Sequence, residues 1–291
     1  GMISVVIGAI ANIVLDPLFI FMLNLGIRGA AIATVLSQCL SAGFVLYFLS
    51  KKAEYKVRLL YKEEIRTCGK DAKNIVSLGT AGFVMQLTNS LVSICCNNVL
   101  SATGGDVYVS VMTIISSVRQ MIETPIWSIS EGSSPVISYN YGAKRPKKVI
   151  EAWITMSVLA LIYSLIAWSV ILFAPKFLIG IFSSDKSLMI DTVPAMKLYF
   201  SAFIFMLFQY TGQTMFKSLN KKKQAIFFSI LRKVIIVVPM TYMFPYVFHM
   251  GSNGVFMAEP VSNVIGGSLC FIVMLLTVLP ELKQMNSDLS S

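Results

Sequence analysis

Residues 2–23, MISVVIGAIANIVLDPLFIFML, run for twenty-two positions with one charged side chain, Asp16. A helix needs about 20 apolar residues to cross a hydrocarbon core of about 30 Å. In lipid each backbone N–H and C=O must be satisfied within the spanning structure, which leaves helices or closed barrels. Seven further apolar runs follow, at 30–50, 75–100, 107–138, 150–174, 193–216, 225–248 and 254–279. The ten-residue alternating strands of a transmembrane barrel are missing from the sequence. The expectation is an all-α polytopic membrane protein with eight transmembrane helices.

Composition agrees. Only 13% of the residues are charged and the mean hydropathy is +0.74, against about 25% charged in a water-solvated domain. The net charge of +10 would suit nucleic acid, but its distribution does not. Lys and Arg gather in the connections after the second, fourth and sixth runs and in the tail, 17 in all, against 4 in the connections on the other side. Such a bias orients membrane proteins with the positive side in the cytoplasm. The first span therefore runs outward, and both ends of the chain lie on the cytoplasmic side. Solvation by a lipid bilayer, and no nucleic-acid partner, is expected.

Several chemistries are excluded by inventory. Cys39, Cys95, Cys96 and Cys270 lie in apolar runs without a CxxC pair, and His249 is the single histidine. A zinc site is not assembled from such a set. No GxSxG, HExxH or P-loop pattern occurs, so the chain reads as neither an enzyme nor a motor carrying its own ATPase. No cofactor is expected.

A repeat organises the chain. GIRGAAIATVLSQ (26–38) and GSNGVFMAEPVSN (251–263) align at an offset of 225, matching Gly26 with Gly251, Gly29 with Gly254, Ala33 with Ala258 and Ser37 with Ser262, and setting Gln38 against Asn263. Spans 1–2 then repeat spans 7–8, and spans 3–6 have no partner. The expected organisation is the last two helices of one lobe at 1–50, a cytoplasmic linker at 51–74, a complete six-helix lobe at 75–280 and a tail at 281–291. Four further helices before Gly1 would complete the first lobe. Doubled bundles of this kind are typical of secondary transporters. Within the linker Tyr55, Leu59, Leu60 and Ile65 fit a helix lying on the membrane surface.

The chemistry is expected where charge enters the apolar runs. Arg119 and Glu123 in ISSVRQMIETPIW share a helix face at i and i+4. A mid-membrane charge costs about 2.5–3.5 kcal/mol on insertion scales, so an acid retained there marks an ion-coupling site, with Arg119 tuning it or simply neutralising it. Pro125 follows at once, and Pro17, Pro135 and Pro260 also interrupt apolar runs. These four are the expected helix breaks. Asp16-Pro17 and Glu259-Pro260 both set an acid before a proline. Glu131 lies about 12 Å along the helix from Glu123, toward the cytoplasmic mouth. The coupling set is thus Glu123, Asp16, Arg119 and Glu131. Arg232 and Lys233, about 15 Å into their span from Lys222, are expected to snorkel to the headgroups. Gln209 and Gln213, with Met206, form a wall suited to amphiphilic cations, to which Gln86 and Asn89 of the third span add polar groups.

These residues carry a resemblance. NIVLDPLFIF, GIRGAAIATVLSQ, SPVISYNYGAKR and FQYTGQTMFKSLNKKKQA, in this order, are similar to the fifth through twelfth helices of the multidrug and toxic compound extrusion (MATE) family. The resemblance implies two six-helix lobes, a central cavity, and export of cationic amphiphiles in exchange for protons or sodium ions. It places Asp16-Pro17 on the family's fifth-helix acid–proline and Glu123 on an acid of the eighth helix. Glu131 stands where many members have glutamine, and Asn263 replaces a frequent aspartate. Two alternatives stand beside this reading. One is a lipid-linked oligosaccharide flippase of the same superfamily, which needs a more cationic cavity than a lone deep Arg119 provides. The other is a non-transporting truncated fragment.

Overall fold

A computed structural model describes residues 2–52, 69–183 and 185–288, and every regular element among them is helical. The chain divides into two units, Gly1–Asn74 and Ile75–Ser291. The linker positions Tyr55, Leu59, Leu60 and Ile65 lie outside the described residues.

The first unit is a hairpin of α1 (Met2–Met22) and α2 (Gly26–Lys52), each long and apolar enough to cross a membrane. Small residues let the two backbones approach. Ser41 donates to the carbonyl of Ser4 at 2.8 Å, and a Cβ on Gly8 would stand 3.2 Å from that of Ser41. The last turn of α1, Leu18–Met22, widens into a π-helix directly after Pro17, which lacks the N–H an α-helix would use there.

The second unit holds the other elements. The helical run Gly69–Gly142 is two helices, because Gly105 takes φ 70° and ψ −169°. These are α3 (69–104) and α4 (106–142). Unbroken, the run would separate Gln86 from Glu123 by roughly 55 Å, yet both line one cavity. Then come α5 (Pro146–Phe173), α6 (Pro175–Phe182), α7 (Lys186–Tyr199), α8 (Phe205–Ser218), α9 (Lys222–Val247) and α10 (Ser252–Ser287). Helix α7 opens on Asp185, whose carboxylate accepts from the backbone N–H and the hydroxyl of Ser187, both at 2.8 Å. Those bonds hold it below the usual carboxylate range. Between α7 and α8 the chain tightens at 200–204, where Phe203 N donates to Phe200 O at 3.1 Å and Phe205 N to Ala202 O at 3.1 Å. Helix α10 runs on past Pro280 into the expected tail.

Helix α5 shows how lipid sorts these sequences. Val149, Met156, Ala160, Ser164, Ala167 and Ile171 recur at spacings of three, four and seven and are buried, while Leu159, Ile162, Ile166 and Phe173 turn outward. The middle of the inward stripe is made of the small residues Ala160, Ser164 and Ala167, which allow close helix packing, with Val149, Met156 and Ile171 toward its ends. Along α4 one apolar cluster takes Val111 through Ile126, and a second takes over at Ile137 with Met156, Phe216, Cys270 and Met274.

The repeat seen in the sequence is a repeat of backbone geometry. The π-turn Leu18–Met22 has its counterpart in Met243–Val247. Leu23 N donates to Leu18 O at 3.0 Å, and Phe248 N to Met243 O at 3.1 Å. Asn24 and Gly26 take φ of 50° and 53°, and His249 and Gly251 take 53° and 57°. A Cβ on Gly29 would strike the Phe19 carbonyl oxygen at 2.6 Å, and one on Gly254 would strike the Phe244 carbonyl carbon at 2.8 Å. Both second helices therefore cross their partner at contact distance, which only glycine allows.

Two expectations need correction. Helix α4 keeps helical dihedrals through Pro125 and Pro135, and the one departure in the run Gly69–Gly142 is at Gly105, before α4 begins. Each proline removes one N–H, but neighbouring turns hold the backbone in register, so neither is a break. Pro17 and Pro260 differ in that π-turns follow them, at Leu18–Met22 and Asn263–Gly267.

Candidate functional site

Helices α3, α4, α7, α8, α9 and α10 surround a cavity of about 810 Å³ within the second unit. Its walls carry the polar groups that the apolar runs exclude elsewhere. Gln86 and Asn89 come from α3; Arg119, Glu123 and Glu131 from α4; Gln209 and Gln213 from α8.

At the cavity floor the charges form one network. On α4 the i, i+4 spacing lets Arg119 Nε donate to Glu123 Oε1. Arg119 Nη1 donates to the Tyr199 hydroxyl at 2.7 Å, and Nη2 lies 3.3 Å from Glu259 Oε1. The hydroxyl of Tyr210 donates to Glu123 Oε2 at 3.2 Å. From α9, Arg232 Nη2 donates to Glu259 Oε1 at 3.1 Å and Lys233 Nζ to the same oxygen at 3.2 Å. Arg232 Nη1 reaches Asn263 Oδ1 at 3.0 Å. Three cations from two helices thus converge on one buried carboxylate oxygen of α10. Local geometry permits this in two places. Leu231–Val237 is a π-turn, a distortion often found at functional sites. Gly266 lets the stem of Arg232 pass, since a Cβ there would meet Arg232 Cγ at 2.8 Å.

At the mouth the pair is exposed. Lys217 Nζ lies 3.0 Å from Glu131 Oε1, with both side chains more than a third exposed. Outside the cavity lining, Lys221 pairs with the half-buried Glu281, which also accepts from Tyr141 at 2.6 Å.

The expected site residues distribute as follows. Arg119, Glu123, Glu131, Gln86, Asn89, Gln209 and Gln213 all line the cavity. Gln213 also ties α8 to α9, donating to Ala225 O at 3.3 Å, and Gln209 keeps a buried Oε1 with no partner among the described residues. Met206 does not face the cavity but is 1% exposed in the apolar core. Asp16 belongs to the first unit, half-buried, and accepts from Asn12 Nδ2 at 3.3 Å. Snorkelling of Arg232 and Lys233 is overturned, because they are 5% and 7% exposed and bonded to Glu259. Distance along an axis gives depth but not which way a side chain faces. The missed signal was Glu259 itself. A carboxylate placed deep in α10 requires cations, and two stood in the preceding span. The charge argument against a flippase therefore lapses, since Arg119 is not alone.

Comparison with known proteins follows the same lines. The family model described as MatE matches residues 82–243. The multidrug export protein MepA of Staphylococcus saprophyticus is 26% identical over 284 residues, covering 96% of this chain and 59% of its own length. MepA of Staphylococcus aureus (strain NCTC 8325 / PS 47) is 26% identical over 272 residues, 92% of this chain and 57% of its own. Among solved structures, MATE in the straight conformation superposes with a TM-score of 0.84 at 24% identity, over 98% of this chain and 63% of the other. A MOP superfamily transporter from Pyrococcus furiosus gives 0.85 at 24% identity over the same shares. The chain spans less than two thirds of the length of the relatives it matches. None of these relatives is named as a flippase.

Proposed function

Because this chain belongs to the MATE family, we propose that it works in a multi-pass cell-membrane exporter that expels amphiphilic cationic drugs in exchange for protons or sodium ions. The observation that carries the reading is Glu123, bonded by Arg119 and Tyr210, at the wall of a cavity of about 810 Å³. A carboxylate at membrane depth and open to a cavity is a place where an ion's occupancy can bias which side the transporter faces. Asp16, in the first unit, is assigned a supporting part. The chain crosses the membrane eight times in this reading, counting α3 and α4 separately and 186–218 as one crossing broken at 200–204. Both ends face the cytoplasm, as the lysine and arginine bias requires.

The test is ethidium efflux from membrane vesicles of cells expressing the longest reading frame that contains this chain. Proton and sodium gradients are imposed separately. One of them is expected to drive efflux, and Glu123→Gln is expected to abolish the driven component while the protein still inserts. Full driven efflux by Glu123→Gln would refute the assignment of coupling to this site.

A further inference from the structure

The network at the cavity floor has an uneven charge. Arg119, Arg232 and Lys233 supply three cations, and Glu123 and Glu259 supply two carboxylates. The other charged side chains lining the cavity, Lys217 and Glu131, are paired with each other. With every group in its ordinary form, one positive charge is left over among residues that are largely shielded from water. An uncompensated charge of that kind is heavily penalised. A second positive charge entering as a ligand would double that penalty unless one group gives up its proton.

The three cations are not equivalent. A guanidinium keeps its proton in proteins, whereas a desolvated lysine readily becomes neutral. Lys233 is the sole lysine in the network. Its Nζ competes with two guanidinium groups for Glu259 Oε1. A neutral amine still donates an N–H to that oxygen, so the contact survives loss of the proton. The groups that face it are Arg119 and Glu123 from α4, Cys96 from α3, Tyr199 and Tyr210 from α7 and α8, Arg232 on its own helix, and Glu259 with Asn263 from α10. Of these, Glu123 and Glu259 are held in ion pairs and the two tyrosines by Arg119 and Glu123.

We propose that Lys233 is the proton carrier of this cavity, neutral when a cationic ligand occupies it and protonated when none does. The proposal rests on the coupled-exporter reading above and moves the exchanged proton from Glu123 to the lysine of the same network, with Glu123 holding Arg119 in place. The balance is simple. Facing the cytoplasm, the cavity admits a monovalent cation and the proton on Lys233 Nζ leaves to cytoplasmic water. Facing outward, a proton from outside returns to Nζ and the cation departs. The cavity holds one excess positive charge in either state, so exchange is one for one.

The experiment is binding of tetraphenylphosphonium, from pH 5 to pH 9, to the product of the longest reading frame that contains this chain, held in nanodiscs. Release of one proton per bound cation requires affinity to rise about tenfold per pH unit through the titrating range. Lys233→Gln is expected to bind tightly with no pH slope, and Lys233→Arg weakly with no pH slope. If Lys233→Gln does not fold, the flat profile of Lys233→Arg carries the test. A wild-type slope retained in either variant overturns the proposal and leaves the exporter reading standing. A slope lost in Glu123→Gln but kept in Lys233→Gln moves the proton to Glu123. Affinity that follows chloride concentration rather than pH means that an anion meets the excess charge, and this also overturns the proposal. No binding by the wild type at any pH overturns the cationic-substrate reading itself, and the proposal with it.

Discussion

The hairpin α1–α2 and the hairpin α9–α10 share a turn almost atom for atom and share nothing of their charge. At the offset of 225, the places of Arg232, Lys233 and Glu259 in the second hairpin are taken in the first by Ile7, Gly8 and Thr34. The backbones agree because the same small set of residues controls them: a positive-φ pair, a π-turn and a glycine at the crossing. None of those residues belongs to the charged network. Conformation and chemistry are therefore written in different positions of one repeat, and either can be altered without the other.

The sharpest way to break the comparison is at the acid. Glu259→Ala leaves two buried cations, Arg232 and Lys233, and the half-buried Arg119 without their shared acceptor, and removing one partner of such a network costs about 3–5 kcal/mol. Thr34→Ala, at the equivalent place, touches an exposed hydroxyl bonded to its own helix and should stay within about 0.5 kcal/mol. Unfolding titrations in detergent measure both, and similar values would mean that the network does little for stability. A smaller effect sharpens the likeness instead. Gly29→Ala and Gly254→Ala each force a methyl group into the preceding helix, at about 1–3 kcal/mol. The two losses should agree, and a loss at only one of them would show that the second turn is held by other contacts. The smallest effect lies at the mouth. Lys217→Met breaks an exposed pair with Glu131 and should change stability by less than about 1 kcal/mol.

Much of the fold was legible before any coordinates. Apolar length gave the all-helical membrane class, though six helices among the described residues, not eight, are long and apolar enough to span, and glycine spacing gave the repeat, because a close crossing admits no other residue. The Arg119–Glu123 pair was legible too, since i, i+4 geometry is local. What escaped was everything that depends on the direction a side chain faces across helices. Arg232 and Lys233 read as surface cations, Met206 read as a wall residue, and Pro125 and Pro135 read as breaks. For the cations and for Met206 the deciding contact comes from another helix: Glu259 of α10 for Arg232 and Lys233, and the apolar core for Met206. A proline likewise announces a lost hydrogen bond but not whether its neighbours absorb the loss.

The tight joint between α7 and α8 has one more consequence. The indole N–H of Trp168 donates to the carbonyl of Phe200 at 3.0 Å. That joint separates Tyr199, tied to Arg119, from Tyr210, tied to Glu123. A fluorophore native to the chain is thus fastened between the two arms of the charged floor. Trp153, its ring tilted against that of Phe271, sits in the other apolar cluster as a reference. Rearrangement of the floor can be followed as a change of emission colour from an unlabelled protein.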